Sequence, residues 1–173
     1  MEIVTIPLIG AVHHEDNSGG KGIIQSGDVQ IMSAGSGIVH SEANASNADP
    51  LSLFQIWVFP KEKNIQPRYD QRTFDISDRK NQWQFVVSPI TSDNGLYIHQ
   101  NARFALSNLD TGSTLQYRNA FSGNGVFLVV IEGSVEINGI DLNRRDAIGI
   151  SGADEFEIKA SSNAALLAIE VPM

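Results

Sequence analysis

Short stretches in which apolar and polar residues alternate recur from the first residues of this chain, each closed by glycine, asparagine, aspartate or serine. A period of two marks a half-buried β-strand, because successive side chains point to opposite faces. It predicts strands over residues 2–8, 10–14, 22–25, 29–33, 38–44 and 52–59. Residues 61–71 carry Pro67, mixed charges and little periodicity, and read as a connector. A second β-rich block follows over 73–171. Its clearest piece lies between Gly125 and Ile140, where an apolar strand passes Gly133 into an alternating one. Asn138-Gly139 there supplies the positive-φ pair that a type I′ hairpin needs, and Asn94-Gly95 reads as a second such turn. No apolar stripe of helical period persists beyond a couple of turns, so helix is expected to be minor.

The two blocks echo each other. Leu8-Ile9-Gly10-Ala11-Val12 is followed by Gly27-Asp28-Val29-Gln30-Ile31, and Ile131-Glu132-Gly133-Ser134-Val135 by Arg145-Asp146-Ala147-Ile148-Gly149-Ile150. A strand, a glycine, a polar-faced strand and then an acid opening the next strand is a repeated unit. Duplication of a small closed β-barrel is its economical explanation. The expected division is residues 1–71, including the connector, and 72–173.

Composition narrows the function. The chain has 173 residues, 42% hydrophobic and 18% charged, which is globular rather than disordered. There is no cysteine, so disulfides, thiolate catalysis and thiolate metal sites are excluded. The net charge is -8, and no run of Lys or Arg supplies the basic patch that neutralises phosphates, so direct nucleic-acid binding is not expected. No apolar run reaches the ~20 residues of a membrane-spanning helix. The apolar start carries an acid at position 2 and no preceding cation, the reverse of a secretory signal, so a mature cytoplasmic protein is expected.

The most pointed segment is Ile38-Val39-His40-Ser41-Glu42, preceded by Gly35 and Gly37. Residues two apart on a strand share a face, so His40 and Glu42 can converge on one point inside a barrel. An imidazole nitrogen and a carboxylate oxygen make half of a site for a borderline divalent metal such as iron. A His-x-Glu pair is also a common surface pair on an edge strand. His13 and His14 are adjacent, so only one of them can face inward; His14 is the weaker candidate ligand. His99 has no histidine or acid at ligand spacing and reads as structural. Gln55 reads as a pocket residue, and Trp57, alternating with apolar neighbours, as barrel core rather than a substrate platform.

The stretch Ile31-Met32-Ser33-Ala34-Gly35-Ser36-Gly37-Ile38-Val39-His40-Ser41-Glu42 closely resembles the hallmark of the pirin family. So do Phe54-Gln55-Ile56-Trp57-Val58-Phe59-Pro60 and Ile65-Gln66-Pro67-Arg68-Tyr69-Asp70-Gln71, with Met1-Glu2-Ile3-Val4-Thr5, Gly10 and His14 in register. The resemblance implies an all-β bicupin, two double-stranded β-helix barrels in tandem. In that family the N-terminal barrel holds one metal, commonly iron, through three histidines and a glutamate. Some members oxidise flavonols such as quercetin with dioxygen, and others are described as transcriptional co-regulators or stress-response proteins. By position His40 and Glu42 match the second pair of ligands. Glu2 matches the glutamate that closes the first cupin motif, and His14 a histidine outside the ligand set.

On this resemblance the chain begins partway through the motif. The His-x-His pair that the family carries a few residues before Glu2 would lie ahead of Met1, so the N-terminal barrel and its metal site are expected to be incomplete. A misassigned start, a deliberately shortened form and a natural truncation all account for this. The expectation is weak or absent metal binding and low dioxygenase activity, with a flavonol-like aromatic as the substrate class. A non-catalytic regulatory or stress-response binding protein and a plain structural bicupin are the other readings. Missing strands would leave Ile3, Ile6, Leu8 and Ile31 uncovered, from which a homo-oligomer is expected.

Overall fold

The structure, a computed structural model, describes residues 1–17 and 19–173. Sixteen strands and two short 3-10 turns, Ile76–Arg79 and Thr91–Asp93, account for its regular structure. The described chain divides into two compact units, Met1–Asp75 with Leu96–Gln100, and Ile76–Gly95 with Asn101–Met173. No described helix is long and apolar enough to cross a membrane.

The first unit is built from β1 (Glu2–Ile9), β2 (Ala11–Asp16), β3 (Lys21–Gln25), β4 (Asp28–Ser33), β5 (His40–Asn44), β6 (Ser52–Val58) and β7 (Arg68–Thr73). They form two antiparallel sheets ordered β6-β1-β4-β7 and β3-β2-β5. The central strands β1 and β4 are buried along nearly their whole length, which is why apolar residues there outrun strict alternation. Ile3, Ile6 and Ile31, expected to lie uncovered, are buried, and Leu8 is half-buried. These isoleucines therefore leave no uncovered apolar face for self-association to bury. The end of the expected connector is also strand: Arg68–Thr73 pairs with β4, because Pro67 interrupts the backbone pattern only up to its own position.

The second unit contains β8 (Gln84–Val87), β9 (Arg103–Leu109), β10 (Thr114–Arg118), β11 (Asn124–Glu132), β12 (Ser134–Ile137), β13 (Ile140–Asn143), β14 (Ala147–Ile150), β15 (Glu155–Ala160) and β16 (Ala164–Pro172). Its sheets are ordered β14-β11-β16-β9-β8 and β10-β15-β12-β13. Between them lies a core of Leu128, Val130, Ile137, Ile158 and Leu166, in which Tyr117 is stacked on Phe156 and meets Trp83 edge-on. Asn138 and Gly139 take φ of 51° and 78° between β12 and β13, as the hairpin requires. Asn94-Gly95 is different: Asn94 is the left-handed C-cap of a 3-10 turn and joins no strand pair, so the hairpin expected there is not formed. With no alternating strand on either side, an Asn-Gly pair caps a turn instead.

The internal echo has a physical basis. Asp28 accepts the backbone N–H of Gln25 at 3.0 Å, and Asp146 that of Asn143 at 2.8 Å. In both units a carboxylate three residues downstream closes the turn that leads into the next strand.

Candidate functional site

Strands β2 and β5 pair so that His14 lies opposite Glu42 and Asp16 opposite His40. Positions 14 and 16 share one face of their strand and 40 and 42 share one face of theirs, so the four side chains form a cross-strand patch. The sheet β6-β1-β4-β7 adds Thr5, Gln30, Gln55 and Tyr69 to it.

Glu42 is the hub. Its Oε2 accepts the Gln55 amide at 2.6 Å and its Oε1 the Thr5 hydroxyl at 3.4 Å, with His14 Nδ1 3.5 Å away. Gln55 in turn accepts the Trp57 indole N–H at 3.1 Å. Gln55, expected to be a pocket residue, thus joins the patch around Glu42. Trp57 is not core: it is 61% exposed, on the same face of β6 as Gln55. The core assignment fails because β6 is an edge strand of its sheet, and alternation there separates a covered face from an open one.

His14 is fully buried and committed locally. Its Nε2–H donates to Asp16 Oδ2 at 2.9 Å, its Nδ1 faces the Gln30 amide at 3.4 Å, and Tyr69 stacks on the ring at 4.9 Å. Asp16 is itself held by the backbone N–H of Gly20. A side chain at position 20 would meet Asp16 Oδ2 at 2.2 Å, so glycine is what lets that loop close on the carboxylate. The His14 and His40 rings are 5.8 Å apart and tilted by 23°. His14, with Nε2 on Asp16 and Nδ1 facing Gln30, is taken up by these partners. Among the described residues no three histidine or acidic side chains are arranged to hold a metal. The donor set therefore does not by itself fit the four-ligand sphere that the resemblance implies, though His40 and Glu42 share a strand face at ligand spacing.

Sequence reasoning did not single out Tyr69, Asp16, Gln30 and Thr5. Gln30 and Thr5 carried a signal: each is a polar residue inside an otherwise apolar strand, which buries a hydrogen-bonding group only where partners await it.

The Tyr69 phenol is pushed up to about 12, first by burial and then by the charges of Asp16, Glu42, Asp28 and Asp70. A phenol is neutral when protonated, so the folded chain keeps this proton at pH values where the unfolded chain, ionising near 10, has lost it. The associated stability is fully present below pH 10 and is lost as pH rises towards 12. Urea unfolding between these pH values should show a decline in stability that Tyr69→Phe flattens. An equal decline in the variant would remove Tyr69 from this role.

Residues 1–58 match the family model for pirin, and residues 85–171 that for the quercetinase C-terminal cupin domain. A quercetin 2,3-dioxygenase of Escherichia coli is 39% identical over 175 residues, covering 99% of this chain and 73% of that protein. The chain belongs to the pirin family. A pirin-like protein of Caulobacter vibrioides is 37% identical, covering 98% of this chain and 73% of that protein. The bacterial pirin YhhW of E. coli, solved in complex with nickel(II), superposes with a TM-score of 0.90 at 37% identity, over 99% of this chain and 72% of that one. The pirin fold of this chain is thus all-β and cupin-type, its two units corresponding to the pirin and quercetinase C-terminal matches.

Proposed function

We propose that the β2–β5 patch is the ligand pocket of a pirin of the quercetin dioxygenase type, in which His40 and Glu42 supply two of the protein donors to a divalent metal, with iron or nickel the fitting ions. The observation that carries this reading is the placement of His40 and Glu42 on one face of β5, within a chain related to a quercetin 2,3-dioxygenase and to a nickel-bound pirin. The substrate class is a flavonol-like planar polyphenol: the Glu42 carboxylate and Gln55 amide offer hydrogen-bond partners to ring hydroxyls, and the exposed Trp57 indole offers a face to stack on.

Two donors hold a transition metal weakly, because three or four are needed to fix a geometry. The 173-residue polypeptide is expected to retain well under one equivalent of metal after dialysis, and to consume quercetin barely faster than the buffer. Calorimetric titration with nickel(II) should give weak binding that His40→Ala and Glu42→Ala each abolish. Nickel binding that is unchanged in both variants would overturn the reading. A second reading, a non-catalytic pirin-like regulatory or stress-response binding protein, is favoured by the commitment of the buried His14 beside Glu42 to Asp16 and Gln30. It predicts quercetin binding without turnover even under saturating metal.

A further inference from the structure

The face of β1 turned away from Glu42 carries a different constellation. Thr5 points to Glu42, so Glu2, of opposite parity on the strand, points to the other side. There Glu2 is wholly buried. Its Oε2 accepts the Ser33 hydroxyl at 3.0 Å and the backbone N–H of His99 at 3.1 Å, while Oε1 has no partner among the described residues. His99 is brought in by the segment Leu96–Gln100, fixed by Lys61 N–H donating to the His99 carbonyl and by the Gln100 amide donating to the Phe59 carbonyl, each at 2.8 Å.

The hydrogen bonds decide the tautomer. His99 Nδ1 sits 3.3 Å from both Glu2 Oε2 and Ser33 Oγ. With the Ser33 hydroxyl donated to Glu2, both neighbours present lone pairs to Nδ1, which must carry the proton. That leaves Nε2 as the free nitrogen of a carboxylate-oriented imidazole. The ring lines a hollow of about 380 Å³ together with Gln66, Pro67 and Arg68. The Arg68 guanidinium lies 5.6 Å from the Tyr97 ring centroid, donates to the Tyr97 carbonyl and stands 3.6 Å from Asp70; its Nε is buried without a partner. Arg68, His99 and Gln66, which line this one hollow, carry the kinds of group that donate to an oxyanion, and the buried charge of Glu2 lies behind His99.

We propose that Glu2, His99 and Arg68 form a second ligand site, on the face of β1 opposite the Glu42 pocket, which takes a small oxyanion, carboxylate or phosphate, together with one proton. Arg68 pairs with the anion. His99 Nε2 gains a proton from solvent as the anion enters and donates it in a hydrogen bond, the imidazolium being balanced by Glu2 behind it. The charged and titratable groups around His99 are Glu2 on β1, Arg68 with Asp70 on β7, and Tyr97 on its own segment. Neither His40 nor Glu42 takes part, so the site stands or falls apart from the metal reading.

The test is calorimetric titration of the full chain with benzoate and, separately, with inorganic phosphate, in buffers of differing ionisation enthalpy. Expected is saturable binding of at least one probe, with an observed enthalpy that tracks the buffer and so reports a net proton uptake. Whichever probe binds more tightly names the source of the oxyanion. Arg68→Gln, a change at a half-exposed position, should weaken binding about tenfold, as loss of one charge-assisted contact does. Glu2→Gln should abolish the buffer dependence. In nitrogen-15 spectra of the wild-type chain the His99 Nε2 resonance should move towards the imidazolium range on addition of the binding probe. Absence of binding by both probes, binding with no buffer dependence, or unaltered affinity in Arg68→Gln would each overturn the proposal.

Discussion

Replacing Glu170 by alanine is expected to cost the second unit about 3–5 kcal/mol of folding stability, the range for removing one partner from a buried charged network. Glu170 lies on β16 beside Arg103 of β9 and is wholly buried. Its Oε1 accepts the backbone N–H groups of Ala120 and Phe121, each at 3.0 Å, and the Asn124 amide at 3.1 Å. Its Oε2 accepts the Tyr117 hydroxyl at 3.1 Å, with Arg103 Nη1 4.0 Å away. Alanine would leave a buried hydroxyl and two backbone donors without this acceptor, and the Asn124 amide with only the Asn101 carbonyl; each unmade bond costs on the order of 1–3 kcal/mol. Some of that is recovered by water entering the space, which is why the donor costs are not simply added. Arg103 would survive better, since Asp93 grips it at 2.9 and 3.2 Å and Phe85 lies under its guanidinium. The same burial, with the Glu170 charge, raises the Tyr117 phenol far above its ordinary range, so this hydroxyl stays a donor at any working pH. Urea unfolding followed through Trp83, which packs against Tyr117, reads this unit. A loss below about 1 kcal/mol would mean the network is far wetter than its burial implies.

Much of the architecture was legible because strands, glycines and turn pairs act locally. Alternation located the strands, Gly133 with φ of 79° marked the passage from β11 to β12, and Asn138-Gly139 marked the hairpin after it. The acids of the repeat, Asp28 and Asp146, were visible as a pattern, and their hydrogen bonds show why they recur. What alternation does not encode is which face of a strand is covered. Trp57 has apolar neighbours on both sides and is exposed all the same, because strand order places β6 at an edge. Likewise the sequence allowed only one of His13 and His14 to face inward, and the pairing of β2 with β5 selects His14. Pairings between remote residues were beyond reach: His99 reads as isolated along the chain, yet its acidic neighbour is Glu2, 97 residues away. The candidate site divides the same way. His40 and Glu42 were singled out by their spacing together with the family resemblance, whereas the groups that surround them on β1, β4, β6 and β7 become apparent only once two sheets face each other.

Gly35→Ala is expected to cost the first unit several kcal/mol and to disturb the site as well as the fold, whereas Gly37→Ala should add only the strain of its own backbone conformation. Both glycines lie in the loop that delivers β5, and both have positive φ, 51° and 142°. What separates them is space. A methyl group at position 35 would meet the Ile65 carbonyl oxygen at 2.0 Å and the Pro67 nitrogen at 2.9 Å, both backbone atoms. At position 37 nothing lies within 4 Å. The loop cannot yield easily at Gly35, since Ser36 N–H donates to that same Ile65 carbonyl at 3.0 Å and Gly37 N–H to the Ala34 carbonyl at 2.8 Å. A left-handed backbone costs an ordinary residue about 1–2 kcal/mol, and forcing extra atoms into a packed site typically adds about 1–3 kcal/mol. Relief requires residues 34–37 to move away from Ile65, and β5 begins three residues later with His40. The Gly35 variant should therefore unfold at lower urea concentration and lose the weak nickel binding proposed for His40 and Glu42, while Gly37→Ala keeps it. A loss at Gly35→Ala below about 1–2 kcal/mol, the cost of a left-handed backbone, would show that the close approach to Ile65 is not why glycine stands at position 35.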